Sequence, residues 1–309
     1  MIDFPFVVYA QGSTAADRFA WLKERKAELN EHLLRRAAML FSGVGAETPE
    51  LFAQLSGVFF EQQLEYVGGD SPRTRLSDRV YTSTEYPAQY AISLHNELSY
   101  ASTWPAQLLF CCTLPAEEGG ETPIADSRAI LRAIEPSIVD EFQRRGVRYL
   151  RNLHGGNGFG RSWQQTFETD DRTVVERYCN ETASEFEWKP DGGLRLIQTR
   201  PAVATHPRTG DVVWFNQADQ YHPSDRPKAL HESLVRLYGD DPFDLPTYVT
   251  FGDGGTIPDD MLDAIRATIA TLTVKFPWQR GDALWIDNML ACHGRMAYRG
   301  KRQVLVSMS

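Results

Sequence analysis

Apolar residues recur along this chain with two different periods. After Ser13-Thr14, the stretch AADRFAWLKERKAELNEHLL sets Phe19, Leu22, Leu29 and Leu33 at helical spacing, so one capped amphipathic helix is expected there. Thr48-Pro49-Glu50 opens a second, with threonine as cap and proline in the first turn, where no hydrogen bond is forfeited. Ser127 is expected to cap a helix through RAILRAIEPSIVDEFQRRG, broken or restarted at Pro136, and Asp259 another through MLDAIRATIATL. Elsewhere the runs are short, β-branched and aromatic. They are AAMLFSG (37–43), then YTSTEY, YAISLHNEL and AQLLFCCTL from Val80 onward, VVWFNQ (212–217), and the closing trio TVKFPWQ, ALWIDNML and QVLVSMS. Residues 145–200 mix aromatic, glycine and polar residues without a clean period and are expected to form a covering insertion. Many short strands, a few peripheral helices and no regular βαβ alternation predict a mainly β, α+β protein with a sandwich or barrel core.

Composition narrows the setting but not the chemistry. The 309 residues are 42% hydrophobic and 24% charged, the usual mix for a soluble globular protein. Acidic residues outnumber basic ones, 41 to 32, and the net charge of −9 argues against nucleic acid or an anionic membrane as partner. MIDFPFVVYAQG has no basic n-region of a secretory signal, and no run of apolar residues is long enough to span a bilayer. Cys111, Cys112, Cys179 and Cys292 form no CxxC pair, so a reducing cytoplasm is the expected location. Oligomeric state is not legible at this level.

The chemistry begins in SLHNELSY. On a strand, side chains alternate, so His95 and Glu97 would share one face. An imidazole and a carboxylate so placed are two legs of a 2-His-1-carboxylate metal site. His293 in LACHGR, after an apolar run, is the candidate third leg. HxE alone is weak, because a half-buried strand histidine is the commoner outcome. A zinc-dependent hydrolase or isomerase could use the same donors, although no HExxH occurs. A retired, non-catalytic site is a third reading.

Further motifs shift the balance. GGETPIADSR (119–128) follows the HxE by about 25 residues, and GKRQVLVSMS (300–309) follows His293. With AAMLFSG, VYTSTEYP, VWFNQ and DNMLACHGR, these make the chain resemble the TauD/TfdA superfamily of Fe(II)- and 2-oxoglutarate-dependent dioxygenases over nearly its whole length. It is most similar to the branch with HNE in place of HxD, that of the SyrP-like amino-acid hydroxylases; clavaminate synthase-like enzymes share the HxE. The resemblance implies a double-stranded β-helix (a cupin-like jelly roll) formed by residues 1–309 as a single domain. It implies His95, Glu97 and His293 as iron ligands, with Thr122 and Arg302 binding the distal carboxylate of 2-oxoglutarate. A guanidinium suits that carboxylate because its rigid fork binds it bidentately. O₂ completes the cofactor set, and succinate and CO₂ are the implied by-products of hydroxylating an unactivated C–H bond. Desaturation, cyclisation or epimerisation at the same iron are alternatives. Taurine-type members carry a second arginine where this chain has Val306, so a sulfonate held in their manner is not expected. Halogenases have a small residue where Glu97 stands, so oxygen transfer is favoured over halogenation. The implied substrate is a small amino acid or its derivative, free or tethered to a peptidyl carrier protein, in natural-product biosynthesis.

Other candidates are weaker. Arg73 could receive a substrate carboxylate or pin a turn. Asn96 would point to the opposite strand face, where a structural role is natural. Trp163, Gln164 and Gln165, with Phe215, Asn216 and Gln217, pair aromatics with amides that could meet an amino acid, or be core aromatics with loop amides. Asp287 and Asn288 could support the metal ligands or cap a turn. His206 and His222 are expected to be surface or turn histidines.

Overall fold

The computed structural model describes residues 4–62, 64, 68–69, 75–77, 80–84 and 86–309. Arg73 lies outside the described residues. A seven-stranded sheet runs in the order Phe6–Val8, Ala38–Phe41, Ala283–Asp287, Gln107–Leu114, Gln303–Met308, Val80–Thr82, Arg75–Ser77. Its central strands read as unbroken apolar runs because both faces are covered. Leu108, Phe110, Cys112, Leu284, Ile286, Val304 and Val306 enter one core, while Leu109, Cys111, Ala283, Trp285 and Leu305 enter another. Period-two alternation therefore sorts each strand between two cores instead of between core and water.

The second core is closed by the N-terminal helices through Phe19, Leu22, Leu29, Leu33, Phe52, Leu55 and Phe59. The first expected helix is two, Ala15–Glu24 and Lys26–Arg36, because Arg25 leaves helical geometry at φ −103° and ψ 8°. Thr14 and Thr48 cap as expected. At the third helix the cap is Asp126, not Ser127: its carboxylate accepts from the backbone N–H of Arg128 and Ala129, and an anion one residue earlier suits the helix start better than a hydroxyl. Pro136 restarts the chain as Pro136–Arg145, and the helix after Pro258 spans Asp259–Leu272. TVKFPWQ contributes one bridge, Val274 to Ile124, since Pro277 cannot donate to a ladder.

Residues 145–200 are regular despite their unclear period. Strands Val147–Leu153, Leu194–Arg200 and Glu185–Trp188 pair antiparallel with one another, Thr247–Phe251 joins on the far edge, and helices Trp163–Phe167 and Arg172–Glu181 pack beside them. A three-stranded sheet, Ile92–His95, Ala291–Arg295 and Ile124–Asp126, lies over the first core. The expectation of a mainly β protein with peripheral helices thus holds at the level of mixed sheets and helices. The described strands form open sheets, with no single closed barrel among them. No described helix is long and apolar enough to cross a membrane.

Candidate metal centre

Pairing between Ile92–His95 and Ala291–Arg295 sets His95 directly opposite His293. Residues 198 positions apart thereby become cross-strand neighbours, with ring centroids 4.5 Å apart. Gly294 makes the approach possible, because a Cβ there would stand 2.5 Å from the Ile92 carbonyl oxygen. The strand ends at His95, so the alternation expected for His95 and Glu97 is not what joins them. Glu97 instead enters from the following turn, where Leu98 adopts a left-handed φ of 57°. Such backbone costs roughly 1–2 kcal/mol and needs support from its surroundings.

Asn288 provides that support. Its Oδ1 accepts from Glu97 N at 2.8 Å, and its Nδ2 donates to the carbonyls of Glu97 and Pro105, each at 2.9 Å. Asn96 completes the knot by donating to the Asn288 carbonyl at 2.6 Å and to Ser127 Oγ at 3.2 Å. Its amide is committed to structure.

Glu97 Oε2 then lies 3.9 Å from His95 Nε2 and 3.8 Å from His293 Nε2. The three donor atoms fall within 4.8 Å of one another in buried or half-buried surroundings. His95 Nδ1 sits 2.9 Å from the Ser93 carbonyl, which can only accept. Nδ1 therefore carries the proton and Nε2 presents its lone pair to the site. Two imidazoles and one carboxylate converging on one point fit a divalent first-row metal with positions left open.

The adjoining cleft is lined by Ile92, Phe110, Thr122, His293, Arg295 and Arg302. Arg302 Nε donates to the Gly120 carbonyl at 2.8 Å, and its guanidinium lies 5.6 Å from the Tyr298 ring centroid. Gly120 has φ 75°, and a Cβ there would reach 2.9 Å from Arg302 Cδ, so glycine is needed on both counts. Burial first, and the neighbouring Arg295 second, pull the Arg302 pKa down to about 10, which leaves it charged at neutral pH. Glu121 attracts it only weakly from a distance, and no described carboxylate forms an ion pair with it, so the cleft presents a cation without a contact counter-ion.

Arg295 is a residue that sequence reasoning missed. Its Nη1 donates to the carbonyl of Tyr86 and its Nη2 to those of Pro87 and Tyr90, which fastens the 86–90 segment beside the cleft. Its place in LACHGR, next to the ligand strand, was the available signal.

The remaining candidates hold local bonds. Trp163 Nε1 donates to the Gly192 carbonyl and packs on Trp188. Gln165 closes a capping box with Ser162. Asn216 bridges the Ala202 carbonyl and the Ala218 N–H. His206 and His222 are buried, so neither is a surface histidine, but each holds a turn as expected; at His222, Nδ1 accepts from the Ser224 N–H. His206 Nδ1 accepts two backbone N–H bonds, from Arg208 and Thr209, so Nε2 carries the proton toward Asp287 Oδ2 at 3.1 Å. Asp287 also caps the turn through Met289 and Leu290, the second of the two roles foreseen for it; its histidine partner is His206, not a metal-ligand candidate.

Comparison with known proteins agrees with this geometry. The model of the family "Taurine catabolism dioxygenase TauD, TfdA family" matches residues 6–308. Dapdiamide synthesis protein DdaC of Enterobacter agglomerans is 38% identical over 280 residues, covering 91% of this chain and 84% of that protein. A clavaminate synthase-like protein of Arabidopsis thaliana is 31% identical over 298 residues, covering 93% and 86%. The crystal structure of PvcB from Pseudomonas aeruginosa shares the fold, with a TM-score of 0.54 at 15% identity, covering 98% of this chain and 85% of that one. The chain belongs to the TauD, TfdA dioxygenase family and is an oxidoreductase of the Fe(II)- and 2-oxoglutarate-dependent class, whose oxidant is O₂.

Proposed function

We propose that this enzyme hydroxylates an unactivated C–H bond of an amino acid or amino-acid derivative, free or carrier-bound, in natural-product biosynthesis. In this reading His95, Glu97 and His293 hold Fe(II), and Thr122 and Arg302 hold the distal carboxylate of 2-oxoglutarate. The carrying observation is the convergence of the three candidate metal donors with a half-buried guanidinium that has no contact ion pair among the described residues, in one cleft. The relative named for dapdiamide synthesis supports a biosynthetic setting.

Bound iron supplies O₂ activation coupled to loss of CO₂ from the 2-oxo acid. The chain's own residues do the rest. Arg302 orients the cosubstrate by a charge-assisted, two-pronged contact. The Phe110 ring, 4.9 Å from that of His293, excludes water on the sheet side. The Ser93 carbonyl and the Asn288 amide hold His95 and Glu97 in register. Glu97 fills a position that a halide would need. The two facing sheets around the first core are read as a jelly roll, with residues 1–309 one cytoplasmic domain and 145–200 its covering insertion. A cut between residues 95 and 293 would divide the donor set.

The test is succinate release from 2-oxoglutarate with amino acids and aminoacyl carrier proteins as candidate substrates. At least one should raise succinate yield severalfold and gain one oxygen atom. Products that lose two hydrogens instead, or stimulation confined to compounds without an amino-acid unit, would contradict the proposal.

A further inference from the structure

Trp278 Nε1 lies 3.0 Å from Thr122 Oγ1, and both side chains are buried. An indole N–H can only donate, whereas a hydroxyl offers one donor and two lone pairs. The direction of the bond is therefore fixed: Trp278 gives and Thr122 accepts. One lone pair of Thr122 is spent on the indole, and its own proton must point elsewhere. Among the described residues no acceptor takes it. Thr122 lines the cleft together with Arg302, so that unspent donor shares the cleft with a guanidinium that has no contact ion pair among the described residues.

The arrangement is held rigidly. Ile124 and Val274 exchange both backbone hydrogen bonds, at 3.0 and 2.8 Å, two residues beyond Thr122 and four before Trp278. Phe276 packs edge-on against the Trp278 ring at 5.2 Å. Threonine, branched at Cβ, has few rotamers of its own to explore.

We infer that Trp278 is a positioning residue for the cosubstrate: its indole N–H turns the Thr122 hydroxyl so that the O–H donates to the distal carboxylate of the 2-oxo acid held by Arg302. The inference rests on the proposed function for the identity of that ligand. It also assigns Trp278 a share in choosing 2-oxo acids with a second carboxylate over those without.

The experiment is calorimetric binding to the full-length Fe(II)-loaded protein without O₂. The ligands are 2-oxoglutarate and 2-oxopentanoate, which keeps the chelating end but ends in a methyl group. Trp278→Phe should weaken 2-oxoglutarate about five- to tenfold, the scale of one well-aligned hydrogen bond. It should leave 2-oxopentanoate at wild-type affinity, which also shows that the site is folded. Thr122→Val should weaken 2-oxoglutarate similarly, and the double variant should be no worse than Thr122→Val alone. Wild-type 2-oxoglutarate affinity in Trp278→Phe, equal losses for both ligands, or additive losses in the double variant would overturn the inference. Arg302→Met separates the two readings. If it leaves the preference for 2-oxoglutarate intact, the anchor itself is misassigned; if it abolishes the preference while Trp278→Phe does not weaken 2-oxoglutarate, only the role of Trp278 falls.

Discussion

Two desolvated titratable groups, half-buried Arg302 and buried Asp219, illustrate opposite outcomes of desolvation. Arg302 keeps its charge because its pKa, though lowered to about 10, remains well above neutrality, and its exposed side meets a cleft suited to an anion. Asp219, buried in the helix Ala218–Tyr221, is pushed up to about 7 by burial and then by Asp225, with Arg266 opposing. A carboxyl whose folded pKa is raised binds its proton more tightly in the native state. Its favourable contribution is complete below the unfolded value near 4 and is lost as pH rises through about 7. Asp219→Asn, measured by urea unfolding between pH 4 and 8, should therefore gain on the wild type as pH rises, by no more than about 4 kcal/mol across the window. A stability difference that does not change with pH would contradict this. Both residues are plain in the sequence as residue types. Their environments are not, because burial arises from contacts between distant segments. The same holds for His206: a polar loop suggested exposure, whereas the fold drives its ring against Asp287.

At the scale of elements, the three residues that converge, His95, Glu97 and His293, were legible as a candidate set, but not the reason they meet. A strand was expected to carry both His95 and Glu97. The chain instead ends its strand at His95 and delivers Glu97 through a turn with Leu98 in left-handed geometry. Nothing local marks that turn, because its stability comes from Asn288, 191 residues away. Asn288→Ala would leave the Glu97 N–H and the carbonyls of Glu97 and Pro105 without their partner in a dry interior. The expected cost is about 3 kcal/mol of folding stability by urea titration. Metal affinity should fall at least tenfold by competition with a chelator. Unchanged metal affinity would show that the turn holds without its clamp. The caps followed the same logic: Thr14 and Thr48 were readable because their partners are local, and Ser127 lost to Asp126 because two adjacent caps competed. Residues 145–200 hid their strands because the sheet face is built by pairing across segments, not by a repeating apolar pattern.

At the scale of the molecule, one sheet separates two cores with different tasks. The side closed by the N-terminal helices is apolar packing, and the side beneath the three-stranded sheet carries the candidate metal donors and the cleft. The central claim is that this second side assembles an Fe(II) and 2-oxoglutarate site from His95, Glu97, His293 and Arg302. The most direct test is the visible absorbance of the full-length protein titrated with Fe(II) and 2-oxoglutarate in the absence of O₂. The account predicts a weak metal-to-ligand charge-transfer band that saturates with 2-oxoglutarate in the wild type and is absent from a folded His95→Ala variant. A correctly folded wild-type protein that develops no such band, or a His95→Ala variant that develops it unchanged, would contradict the account.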